Sequence, residues 1–209
     1  MTPVVHDRQH ADRSATKFKR GRAKGWRPWS KVTGITLHQT ASGNLHADHR
    51  LLLAIPAHAI VHCDGSVSLL HAPTSVVYHG HGLNAQTIGI EIDCRAAGTE
   101  GDASTFWRST TDRLLGCSYE LLVREATAEQ LEAARWLVSK YAGMVEQSGG
   151  RIATLWAHRQ SHSSRTSDPG SRIWKGVALP MIAALGLVDV SHLTLGTGRA
   201  IPKEWQNGT

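Results

Sequence analysis

Leu155–Trp174 reads LWAHRQSHSSRTSDPGSRIW and sets three metal-competent side chains, His158, His162 and Asp168, in a short span. An apolar run from Ile152 to Ala157 delivers His158 at the end of a strand, read as Ala153–His158. Asp168 precedes Pro169-Gly170. Proline confines the residue before it to extended geometry and glycine permits a sharp turn, so the carboxylate sits on a rigid corner. A zinc site that does chemistry uses about three protein ligands and keeps one position open. A further ligand must then come from elsewhere in the chain. Read blandly, the stretch is a Ser- and Arg-rich surface loop that holds two histidines.

Outward from this stretch, Val32–Gln39 (VTGITLHQ) reads as a buried strand. His38 lies at its C-terminal end, where open α/β sheets place ligands. Gln86–Asp93 (QTIGIEID) is another strand, with Glu91 in an apolar context. A charge in such a place is either paired or functional, because desolvation is costly. Ala57–Val61 and Ser66–His71 flank Cys63-Asp64-Gly65, the pattern of a hairpin. A short helix is expected over Asn44–Ala54, with Leu45, Leu52 and Leu53 turned to the core and Pro56 ending it. Thr127 and Gln130 form a capping box. Leu131, Ala134, Val138, Tyr141 and Val145 follow at helical spacing until Gly149-Gly150. Arg172–Leu185 is a further helix, with Pro180 as a kink or boundary. The pattern predicts one α/β domain, a central mixed β-sheet flanked by helices.

The 209 residues suffice to bury a core without staples. Three cysteines without framework spacing exclude a disulfide scaffold, and the lack of a CxxC pair argues against a thiolate zinc knuckle. No stretch has the length of a membrane span, and the start has no apolar run of the signal-peptide kind. Synthesis in the cytoplasm is therefore expected. A net charge of +6 suits an anionic partner, and thirteen histidines favour a metal or proton-transfer site. Residues 1–31 read as a basic arm, solvated over about the first fifteen residues and docked at GWRPW. Residues 95–125 lack periodicity and read as an insertion or rim loop, of the kind that often forms a lid. Residues 32–190 form the main domain and 191–209 a tail. A nucleic-acid partner has only net charge behind it, and none is expected; nor is any oligomer beyond the monomer.

Two imidazoles, His38 and His158, with the Asp168 carboxylate make a three-ligand zinc set with a vacancy. His162 is the rival ligand within the loop, though more simply a solvated residue. A free carboxylate beside the vacancy can take a proton from zinc-bound water, which is hydrolysis chemistry.

The order TLHQT, AHAIVHCDGSV, YHGHGLNAQTIGIEI, AHRQSHSSRTSDPG resembles the zinc-dependent N-acetylmuramoyl-L-alanine amidases, the fold shared with peptidoglycan recognition proteins. The resemblance covers roughly residues 32–94 and 126–175. Each motif is weak alone; four in the right order are specific. The resemblance implies Zn2+ held by His38, His158 and Asp168, with Glu91 as the catalytic carboxylate. Ala57 stands where other members carry a catalytic tyrosine, which leaves the base role to Glu91. Tyr78-His79-Gly80-His81, with Asn84 after it, matches a segment near the substrate groove, so His79, His81 and Asn84 are expected to bind substrate. Members often carry a lysine two residues before the third ligand. Here that position is Thr166, which brings no positive charge, with Arg165 beside it. Arg165 or Arg159 would then replace the lysine, or zinc alone would polarise the carbonyl.

The implied substrate is peptidoglycan or a muropeptide, cut between N-acetylmuramic acid and L-alanine. A phage endolysin or wall-lytic amidase would act on the wall. A recycling amidase would act in the cytoplasm, and a recognition protein would bind without turnover. The basic arm would draw the protein to an anionic wall or outer-membrane surface.

Overall fold

A computed structural model describes residues 2–42, 45–96, 111–112, 117–118 and 125–207. Its strands are β1 (Val5–Asp7), β2 (Gly25–Trp26), β3 (Gly34–Gln39), β4 (Ala59–Val61), β5 (Val67–Leu69), β6 (Ser75–Val76), β7 (Thr87–Ile92), β8 (Thr111–Asp112), β9 (Cys117–Ser118) and β10 (Thr154–Ala157). Six of them build one sheet in the order β1-β5-β4-β7-β3-β10. It is mixed: β4 and β5 run antiparallel, as the Asp64-Gly65 turn requires, while β3, β7 and β10 are parallel neighbours.

The central strands alternate in a way that decides where the site falls. Side chains on a strand point to opposite faces in turn. Ile35 and Leu37 of β3, with Ile88, Ile90 and Ile92 of β7, enter the main core against helix α1 (Ala128–Gln147). Thr36 and His38, with Thr87, Gly89 and Glu91, take the other face. α1 opens on the expected capping box: Gln130 N donates to Thr127 Oγ1 at 3.2 Å and Thr127 N to Gln130 Oε1 at 3.0 Å. Such a cap stabilises the helix by about 1 kcal/mol. Leu137, Val138, Tyr141 and Val145 are buried along its inner face, each aliphatic side chain contributing roughly 1.5–3 kcal/mol.

Pro180 acts as the sequence suggests. α2 (Ser171–Ile173) runs through a π-helical turn (Trp174–Ala178) into α3 (Leu179–Leu185). Proline has no N–H to give the carbonyl four residues back. That carbonyl, on Gly176, accepts from Arg135 Nη1 at 2.6 Å instead. A short α4 (Lys203–Gln206) lies near the end of the chain, with Trp205 buried in the main core.

Two expectations are corrected. The first fifteen residues are not a solvated arm: Val5–Asp7 pair in parallel with Val67–Leu69 as the edge strand. Buried guanidinium groups tie the segment down by donating to backbone carbonyls, Arg13 to Leu70 at 2.9 Å and Arg27 to Pro73, Asn84 and Thr87 at 2.8–2.9 Å. Arg13, in the stretch read as solvated, is therefore a staple. The helix expected over 44–54 is reduced to a 3-10 turn at Arg50–Ala54, with Leu52 and Leu53 buried. The carboxylate of buried Asp93 takes the Leu45 N–H and the hydroxyls of Thr40 and Ser42, which fixes the preceding chain as a loop. Most of the rim loop expected over 95–125 lies outside the described residues. No helix among the described residues is long and apolar enough to cross a membrane.

Candidate active site

His38 and Glu91 stand opposite one another in the β3–β7 register, near the C-terminal ends of parallel strands. β10, on the other side of β3, ends at Ala157 and hands His158 to the site. The loop after it returns to the sheet through Arg159 N, which donates to the Asp168 carbonyl at 2.9 Å. Gly170 makes this return possible. It has φ 103°, and a Cβ there would lie 2.3 Å from the Ala96 Cβ.

His38, His158 and Asp168 are all buried, with one ligand-type atom from each within 4.8 Å of the others. His158 Nδ1 lies 2.9 Å from His38 Nδ1 and 2.9 Å from Asp168 Oδ2. Asp168 Oδ1 accepts the backbone N–H of Gln39 at 3.0 Å, which aims Oδ2 at the cluster. Burial, followed by the neighbouring His158, His79 and Arg165, holds the His38 imidazole well below its ordinary range, so it is neutral. Neutral imidazole lone pairs and a carboxylate converging on one point are a metal-binding donor set. The residues fit a zinc-type cation in their chemistry and in their proximity.

Glu91 completes the cluster. Its Oε2 is buried without a hydrogen-bond partner among the described residues. Burial first, then the Asp168 carboxylate, pushes its carboxyl well above the ordinary carboxylate range, against the opposing pull of Arg165. Arg165 is half-buried and its Nε likewise has no hydrogen-bond partner. Its charge favours the neutral imidazoles of His38 and His81 and the ionised form of Glu91. Arg159 is committed elsewhere: it donates to the carbonyls of Thr166 and Ala200 and lies 4.9 Å over the Trp205 ring. Of the two arginines considered as replacements for the missing lysine, Arg159 is thus the one engaged with the backbone and Trp205. Thr166 is half-buried in the same loop, its carbonyl held by Arg159.

The residues expected to bind substrate separate. His79 is buried behind His38, with Nδ1 3.1 Å from His38 Nε2 and Nε2 3.1 Å from the Thr87 carbonyl. Both nitrogens are occupied within the protein, which corrects its expected place in the groove. Asn84 braces the loop, its Oδ1 accepting from Gly80 N at 2.7 Å. His81 is exposed, its ring nearly parallel to that of His158 with centroids 6.1 Å apart and tilted against that of His162 with centroids 4.2 Å apart. His162 packs against His81 and bonds to Ser164 Oγ at 2.7 Å, outside the group of His38, His158 and Asp168. Gln39 was missed by the sequence reading. Its side-chain amide donates to the Ser167 carbonyl at 2.6 Å, and its Oε1 accepts from Ala96 N at 2.7 Å. A polar residue closing a buried strand beside His38 was the signal.

The ends of β3, β7 and β10 and the loop after β10 thus bring together two imidazoles and two carboxylates, three of them a possible metal-binding set. The chain belongs to the N-acetylmuramoyl-L-alanine amidase family, whose model matches residues 28–171. Its fold is similar to that of N-acetylmuramoyl-L-alanine amidase LysC from Clostridium intestinale URNW, at 16% identity over 90% of this chain and 100% of that one, with a TM-score of 0.53. Bumblebee PGRP-SA is similar at 14% identity, 89% and 98% coverage and a TM-score of 0.54. Drosophila PGRP-LB is similar at 13% identity, 90% and 98% coverage and a TM-score of 0.53. At these identities the likeness is one of fold. Among curated proteins no sequence matches the chain.

Proposed function

We propose that the protein hydrolyses the amide bond between N-acetylmuramic acid and the L-alanine of the peptidoglycan stem peptide, with zinc as its cofactor. The observation that carries this reading is the unpartnered Oε2 of Glu91 beside three converging metal-type donors. His38 Nδ1, His158 Nδ1 and Asp168 Oδ2 would hold the zinc. When bound, it would supply a Lewis acid for the scissile carbonyl and acidify water.

Glu91 takes the proton of the attacking water and returns it to the leaving amine of L-alanine. A carboxyl raised by burial is suited to both halves of that exchange. Arg165 faces the negative charge that develops on the carbonyl oxygen, in the place of the lysine that Thr166 does not supply. His81, exposed and next to the His158 ring, would meet the substrate. Lys17, Lys19, Arg20, Lys24 and Lys31 remain exposed and would draw the protein to an anionic wall surface.

A second reading, a recognition protein that binds the wall without cutting it, is favoured by Thr166 alone. Mass spectrometry of digested sacculi separates the two. Glycans bearing free lactyl groups, together with intact stem peptides that begin with L-alanine, support the hydrolase. Wall binding with no new amino termini supports the recognition protein. Comparing sacculi with soluble muropeptides would then distinguish a wall-lytic enzyme from a recycling one.

A further inference from the structure

We propose that His79 is a positioning residue that fixes the tautomer of His38 and thereby presents its Nδ1 to the metal. This deepens the zinc amidase reading and rests on it. The chain of protons starts at a group that can only accept. The Thr87 carbonyl lies 3.1 Å from His79 Nε2, so that nitrogen carries the proton. An imidazole whose proton is held on Nε2 by that carbonyl presents its Nδ1 as the acceptor. That acceptor lies 3.1 Å from His38 Nε2, which must then be the donor. A ligating imidazole must be neutral, so with its proton on Nε2 His38 is left with a lone pair on Nδ1, facing His158.

The sequence protects this arrangement. A Cβ at Gly89 would lie 2.5 Å from His79 Cγ, so only glycine leaves room for the ring against β7. His58 secures the same strand: its Nδ1 accepts from Gly89 N at 2.9 Å, and its Nε2 donates to the Ser75 carbonyl at 3.0 Å. Metal-bound histidines commonly donate their second N–H to such a partner, and removing the partner typically weakens metal binding about 10- to 100-fold.

The test is zinc affinity, read by competition with a chromophoric chelator, together with the absorption spectrum of the cobalt-loaded protein. Thermal unfolding of the metal-free protein serves as the control for folding. His79→Leu removes the acceptor and is expected to weaken zinc about 10- to 100-fold and alter the cobalt spectrum. His79→Asn places an oxygen where Nδ1 stood and is expected to stay within about threefold of the parent, well inside that loss. If the leucine variant does not fold, His79→Gln replaces it, since it keeps a polar group toward Thr87 but none toward His38. Unchanged affinity in the leucine or glutamine variant overturns the proposal, as does an equal loss in the asparagine variant. A parent protein that binds no zinc would instead sink the amidase reading itself.

Discussion

Gln39 N–H donates to Asp168 Oδ1 at 3.0 Å, so the strand that carries His38 also aims the carboxylate that faces it. The Gln39 side chain repeats the connection through Ser167 and Ala96. Gln39→Ala leaves the backbone bond intact but strips both side-chain clamps, and the buried Ser167 carbonyl and Ala96 N–H lose their partner. A loss of about 1–3 kcal/mol in unfolding free energy is expected, with weaker metal binding. Urea unfolding and zinc titration would measure both. A variant equal to the parent in each would show that the loop holds itself in place.

In the proposed reaction Glu91 trades stability for chemistry. Its buried carboxyl lies near Asp168 without a partner for Oε2. Glu91→Gln removes the ionisable group in almost the same volume. Release of new amino termini from sacculi should fall about 10²- to 10⁴-fold, while zinc binding persists. The melting temperature of the metal-free protein should hold or rise. Retained turnover would assign the proton transfer to another group.

Arg165 is expected to matter through charge. Arg165→Ala should lower kcat by about 10²-fold, the scale for losing one oxyanion donor, with zinc content unchanged. Adding Thr166→Lys to that variant should recover part of the rate, because it restores a cation to the neighbouring position. If Arg165→Ala leaves kcat unchanged, the carbonyl is polarised without it.

Acid should destabilise the fold through its buried imidazoles. Burial, then the neighbouring His79, holds His58 well below its ordinary value of 6.5. Arg27 and His71 press in the same direction, against the hydrogen bond to Ser75. The unfolded chain takes up a proton that the folded chain refuses. The stabilisation from the neutral ring is therefore complete above about pH 6.5 and is lost as the pH falls toward the depressed folded value. Urea unfolding at pH 7.5, 6.0 and 5.0 should show decreasing stability. His58→Gln should start lower and decline less steeply. Equal slopes for the two proteins would remove His58 from the account.

The sheet and α1 were legible because periodicity and capping are local. VTGITLHQ and QTIGIEID alternate as strands do, and Thr127 with Gln130 marks where α1 begins. His38, His158, Asp168 and Glu91 could be read because strand ends and a Pro-Gly corner place side chains predictably. The jobs of His79 and Gln39 could not, because each depends on a partner far away in sequence or on which nitrogen carries a proton. The basic N-terminal segment misled for a related reason. Composition counts Arg13 as a solvated charge, whereas its guanidinium group is spent on the Leu70 carbonyl across the fold.

Zinc content per chain, measured in parallel with amino termini released from sacculi for the parent and for Asp168→Ala, tests the central claim most directly. One zinc per parent chain is expected, with new L-alanine amino termini appearing, and both should be lost in the variant. A parent that releases those termini equally well after complete removal of metal, or that holds no more zinc than the variant, would contradict it.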